Sequence, residues 1–246
     1  MNEGQIRTSL SSDGGFEILI DRPETGNVLT PAMTTALETA LSDLPESSKF
    51  VVLRGEGSDF CAGRVSPMPP AGTVMTTSQI RARVADPVLE FYTVVRDVCV
   101  PIIAVVKGRA HGVGCALAGL ADIVIADETA EFMIPEMNRD IPPLLVMTAL
   151  GNRLSRASLA RMVYSRDPID AQQAVAMGLA AEACSSAEAE VVLTKYRQRI
   201  AANSRVTLMA VKQFLNLVPE SSFAAIKEYA AVANSSAVSE RFIDTR

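Results

Sequence analysis

The sequence predicts an α/β fold that continues into a helical tail. Bare apolar runs of strand length recur at residues 50–53 (FVVL), 102–106 (IIAVV) and 123–126 (IVIA), and strands without polar alternation are those covered on both faces. Helix-period segments separate these runs, as in chains that wind helices over a sheet. After Pro143 the patterning is helical almost throughout.

Taken in order, residues 16–20 (FEILI) read as a strand closed by the turn-like RPETGN. Thr30-Pro31 opens a helix, since threonine caps and proline sits where its missing N–H costs nothing. That helix runs to about Leu44, with Met33, Leu37, Ala40, Leu41 and Leu44 on one stripe. Strand 50–53 is broken by Gly55-Glu56-Gly57. Residues 65–77 hold three prolines and a glycine and must be a loop. A long helix is expected over 78–98, then strands at 102–106, 123–126 and 131–134. Ser155 caps one later helix; Asp170 caps another that stops at Gly178. A last short strand is expected at 179–183, and three helices from about Ser186.

Composition narrows the function. The chain has 246 residues, 48% hydrophobic and 21% charged, with net charge −5, which suits a packed globular domain and offers no basic field for nucleic acid. The four cysteines form no CxxC pair and there is one histidine, so no zinc set is expected and the thiols read as free in a reducing compartment. The N-terminal segment is polar and acidic, unlike a signal peptide, and no apolar run reaches the ~18 residues of a membrane span. A cytoplasmic location without membrane contact is the expectation.

Two segments share one physical shape. FVVLRGEGSDFCAGRV is a strand, then a small-residue turn ending in Ala62-Gly63-Arg64. IIAVVKGRAHGVGCALAG is a strand, then Gly112-Val113-Gly114, then a helix. Glycine permits φ > 0 and close backbone approach, so amide N–H groups can converge on an anion. A helix N-terminus adds free donors and a favourable dipole. Facing each other, the elbows would make an oxyanion hole; either one alone reads more readily as a plain tight turn. Neither is a phosphate loop.

Together these residues resemble the crotonase (enoyl-CoA hydratase/isomerase) superfamily. The carrying motifs are DRPETGNVLTPAM, SDFCAGR, VVKGRAHGVGCALAGLADIVIADETAEFMIPEM and DAQQAVAMGLAAEA, in the family's order over about residues 16–185. The resemblance implies a spiral of ββα units as a core over residues 1–188. It implies a helical region over 189–246 that forms a homotrimer or hexamer. The substrate would be an acyl-CoA thioester, with coenzyme A as part of the substrate and no separate cofactor or metal. Its carbonyl would sit between the N–H groups of Arg64 and Val113, flanked by Ala62, Gly63 and Gly112.

The family's hydratases use two glutamates. Ala116 stands at the first position, and Glu136, after Pro135, at the second. One carboxylate can move a proton from C2 to C4, the pattern of Δ3,Δ2-enoyl-CoA isomerases, or manage hydration alone. MNRDIPP after Glu136 resembles the short loop of hydroxycinnamoyl-CoA hydratase-lyases, although Arg139, Asp140 and Leu144 depart from it. Loss of one acid also leaves a non-catalytic CoA-binding or scaffold role as the rival reading. Gly26 replaces a basic residue that many members carry near the CoA phosphates. His111 and Asp140 are candidate contacts to the acyl group and candidate second acids, Asp140 if the segment is helical and sets it one turn beyond Glu136; Asp140 reads more readily as a solvated residue or cap, and His111 as a packing residue. Cys61 and Cys115 read as small buried fillers.

Overall fold

The computed structural model describes residues 3–70 and 72–243; Ala71, in the expected proline-rich loop, lies outside the described residues. Six strands form the main sheet: β1 (Gln5–Leu10), β2 (Gly15–Asp21), β3 (Phe50–Gly55), β4 (Ile102–Val106), β6 (Ile123–Asp127) and β9 (Glu182–Cys184), in the order β1-β2-β3-β4-β6-β9. β1 and β2 are antiparallel and every later pair is parallel. A second sheet holds β5 (Arg109–His111), β7 (Glu131–Met133) and β8 (Ile169–Asp170). The expected strand at 131–134 therefore exists but belongs to this smaller sheet.

Side-chain alternation along β3 explains its bare apolar sequence. Val51 and Leu53 enter the larger core, whereas Phe50 and Val52 enter a second cluster on the other face with Ile103, Ile125 and Leu193. Both faces are dry, so neither needs polar residues. The larger core lies under α1 (Pro31–Ser42), α3 (Asp86–Arg96) and α4 (Val113–Leu120). Thr30 caps α1 by accepting from Met33 N at 3.2 Å, with Pro31 behind it.

The long helix is interrupted. α2 (Thr77–Ile80) passes into a wider π-helical turn, Arg81–Ala85, before α3. Asp86 N–H bonds the Arg81 carbonyl five residues back. Pro87, next in line, has no N–H for a normal helical bond and its ring crowds the carbonyl four residues earlier. Val84, inside that wide turn, begins the stripe Val84, Val88, Tyr92, which faces the site described below.

Beyond the small sheet come α5 (Leu144–Leu150), α6 (Arg156–Ser165) and α7 (Ala171–Met177). Ser155 caps α6 at 3.1 Å from Ser158 N, and Asp170 caps α7 at 2.8 Å from Gln173 N. Gly178, at φ 83°, ends α7. The amides of Leu179 and Ala180 then turn back to the Ala174 carbonyl, so the expected strand at 179–183 is displaced to Glu182–Cys184. Three helices finish the chain: α8 (Ala189–Ala201), α9 (Arg205–Leu217) and α10 (Phe223–Ile243). α8 covers the sheet through Leu193, so packing against the core continues past residue 188. α9 is tied to the core by the buried ion pair of Lys212 with Asp122, at 2.8 Å. α10 packs on α9, Tyr229 beside Phe214. No helix among the described residues is long and apolar enough to cross a membrane.

Candidate active site

The two glycine elbows are stitched to each other by main-chain bonds. Phe60 N–H donates to Lys107 O at 2.8 Å, Cys61 N–H to Arg109 O at 2.9 Å, and His111 N–H to Cys61 O at 3.0 Å. Gly114 comes so close that a Cβ there would overlap the Cys61 carbonyl, and only glycine fits. Gly63 (φ 130°) and Gly112 (φ 53°) hold conformations that other residues avoid. A side-chain clamp reinforces the joint. Asp59 accepts from Arg109 N at 2.8 Å, Nε at 2.9 Å and Nη2 at 2.9 Å. Those guanidinium bonds pull the Asp59 carboxyl down to about 2.

This joint leaves two amides without an acceptor among the described residues. Leu29 N–H donates to Gly63 O at 3.0 Å and Val65 N–H to Leu29 O at 2.8 Å. A parallel bridge of this kind turns the N–H of the middle residue, Arg64, away from Leu29. Val113 is the first residue of α4, where an N–H has no intrahelical acceptor. Both residues line one cavity of about 170 Å³.

Glu136 lines the same cavity. β7 is held to the second elbow by Gly112 N–H to Met133 O, 2.9 Å. The chain then makes a single 3₁₀ turn, Glu136–Arg139, closed by Asp140 at φ 55°. Glu136 Oε1 lies 3.0 Å from where a Cβ on Gly112 would stand, and Oε2 is buried without a hydrogen-bond partner among the described residues. Burial pushes the Glu136 pKa up, against a smaller opposing pull from its own amide and from Arg139 and Arg64. Among the described residues it is the sole carboxylate on the cavity wall.

Of the sequence-predicted residues, Ala62, Gly63, Arg64, His111, Gly112, Val113 and Glu136 share the cavity wall. Gly26 and Asp140 do not. Gly26 packs on the Arg109 guanidinium, and its carbonyl accepts from Ala62 N at 2.8 Å, so here it braces the first elbow. Asp140 is exposed and serves as the left-handed cap of the 3₁₀ turn, not as a helical residue one turn beyond Glu136. The His111 ring turns to Glu131, with Nε2 2.8 Å from Oε1, and burial lowers its pKa. Ala116 is fully buried in α4, with no acid in its place. Cys61 and Cys115 are wholly buried and their thiols are pushed up to about 12, which makes them fillers rather than nucleophiles.

Sequence reasoning missed Tyr92. It lines the cavity beside Val84 and Val88, is 4 % exposed, and its hydroxyl has no partner among the described residues. The spacing 84, 88, 92 on a helix signals only a packed face. Leu145, Val146, Pro67 and Met68 add apolar lining, while Ser66 and Arg139 add further polar groups.

A family model described as enoyl-CoA hydratase/isomerase matches residues 12–238. The 2,3-dehydroadipyl-CoA hydratase of Escherichia coli (strain K12) is 31% identical over 203 residues, 80% of this chain and 76% of that protein. The mitochondrial enoyl-CoA hydratase domain-containing protein 3 of Rattus norvegicus is 27% identical, over 89% of this chain and 73% of its own length. Among solved structures, an enoyl-CoA hydratase of Mycobacterium smegmatis superposes with TM-score 0.87 at 21% identity, covering 94% of this chain and 90% of that one. A putative enoyl-CoA hydratase of Thermobifida fusca in complex with CoA gives 0.85 at 23% identity, covering 97% and 94%. With its motifs in order, its elbows joined and most of its length matched, this chain belongs to the enoyl-CoA hydratase/isomerase family.

Proposed function

We propose that the protein binds an acyl-CoA thioester and moves a proton on its enolate, shifting a C3=C4 double bond to C2=C3. One observation carries this: a single carboxylate, Glu136, shares the cavity with the two free elbow amides. The thioester oxygen accepts from Arg64 N–H and Val113 N–H. As Glu136 takes the C2 proton, negative charge gathers on that oxygen, where each fixed donor is worth ~100–1000-fold in rate. The dienolate then collapses toward C2=C3 and recovers the proton at C4 from Glu136, so the carboxylate ends as it began.

Hydration needs a proton taken from water and another delivered to C2. With Ala116 where family hydratases carry their other acid, that chemistry also falls to Glu136 and forms the second reading. In both, coenzyme A arrives with the substrate and no further cofactor is needed. The relatives named for enoyl-CoA hydration and the neighbour holding CoA support the ligand class. Self-association through the C-terminal helices, as a trimer or hexamer, belongs to the same proposal.

The test is a Glu136→Gln variant offered 3-enoyl- and 2-enoyl-CoA esters, with formation or loss of the conjugated thioester followed by absorbance. We expect kcat to fall ~100–10,000-fold, the usual contribution of a general acid–base group, while the ester still binds. An unchanged rate in the variant removes Glu136 from the chemistry, and no turnover of either ester by the parent protein, with binding retained, leaves a CoA-binding protein.

A further inference from the structure

One wall of the cavity carries a buried donor without an acceptor among the described residues, and a cation beside it. Tyr92 is buried, its ring beside Phe91 and its hydroxyl without a partner, whereas buried tyrosine hydroxyls as a rule find one. The Arg64 side chain runs along the same wall and donates through Nη2 to Val84 O at 3.2 Å. No carboxylate among the described residues lies within ion-pair distance of it, although the residue is partly buried. Glu136 does not satisfy Tyr92 either, because its Oε2 is itself unpaired. The two groups face a common space without bonding each other.

The Tyr92 hydroxyl is already shut away from water, so a plain hydrocarbon chain leaves it unmatched, whereas a ligand oxygen that reaches it supplies the missing acceptor. Leaving a buried donor unmatched is costly, and a site built around one rejects ligands that lack its counterpart. We propose that the cavity selects acyl chains that carry an oxygen acceptor, bound by the Tyr92 hydroxyl with the Arg64 guanidinium alongside. This rests on the acyl-CoA reading above and names the substrate class within it. Arg64 then has two separate duties: its main-chain N–H meets the thioester oxygen, and its side chain meets the substituent. Tyr92 is a specificity residue and takes no part in the proton transfer.

Binding of saturated esters tests this without chemistry. Butyryl-CoA and pentanoyl-CoA are compared by titration calorimetry with their hydroxy-, oxo- and carboxy-bearing counterparts, on the parent protein and on Tyr92→Phe. At least one oxygen-bearing ester should bind roughly tenfold or more tighter than the hydrocarbon of equal length. Tyr92→Phe should erase that margin while hydrocarbon affinity holds or improves, an exchange of ligand preference that a merely structural tyrosine would not produce. A lead for the carboxy esters identifies an anionic acceptor shared with Arg64; a lead for hydroxy or oxo esters identifies a neutral one held by Tyr92. Equal affinity for both series, or a uniform loss in the variant, overturns the inference and leaves the acyl-CoA reading standing. Failure to bind any CoA ester overturns both.

Discussion

Glu136 sits where the neutral acid is favoured, and this has two consequences of opposite sign. As a base it must be ionised to accept the C2 proton, so burial moves the acid limb of the rate profile above the ordinary carboxylate value of 4.5. For stability, a folded-state pKa raised above the unfolded one favours the fold below the unfolded value. The advantage is lost as pH rises through the folded value. At neutral pH the ionised group therefore burdens the fold. Glu136→Gln should lose activity yet melt higher at pH 7, by about 2–4 °C for each kcal/mol relieved, with the gap closing in acid. Thermal scans at several pH values check it; equal melting curves at pH 7 would mean that water reaches the carboxylate. Glu136 was legible in the sequence because it follows Pro135 within a motif. Tyr92 was not, because its position looks like any core residue of a helix, and only the orphaned hydroxyl reveals it.

At the scale of elements, the site depends on two turns being pinned together. Gly114 permits that contact, and a methyl group there meets the main chain of Cys61. Gly114→Ala should lower the urea midpoint by an amount equivalent to about 1–3 kcal/mol. It should also cost activity on the order of 100-fold, as the donors of Arg64 and Val113 drift apart. Retained activity with lowered stability would show that the donors do not need the pinning. Both elbows were readable as glycine turns after apolar strands, but their contact was not, since it is a ladder between segments about fifty residues apart. β1 gave no signal because it is an edge strand with mostly exposed side chains. The interruption of the helix expected over 78–98 was not read either, although Pro87 stands at the switch from the wide turn to α3.

Across the whole molecule, the core explains itself and the tail does not. α8 and α9 are anchored by Leu193 and by the Lys212–Asp122 pair, yet Leu215 (54 % exposed), Phe223 (80 %) and Val232 (66 %) face outward. Apolar surface on that scale is typical of a subunit contact. Sedimentation should give three or six times the mass of one chain, and Leu215→Glu combined with Phe223→Glu should release monomers. A parent protein that sediments as a monomer would refute the assembly. The sequence announced three terminal helices by their stripes, but stripes do not say what covers them. The ladder between the elbows is built from peptide groups alone, while the side chains at positions 64 and 113 stay outside it. Position 64 can therefore be recoded to reshape the acyl chamber while the anion cradle keeps its place, much as a lock can be re-keyed while its bolt stays in the door.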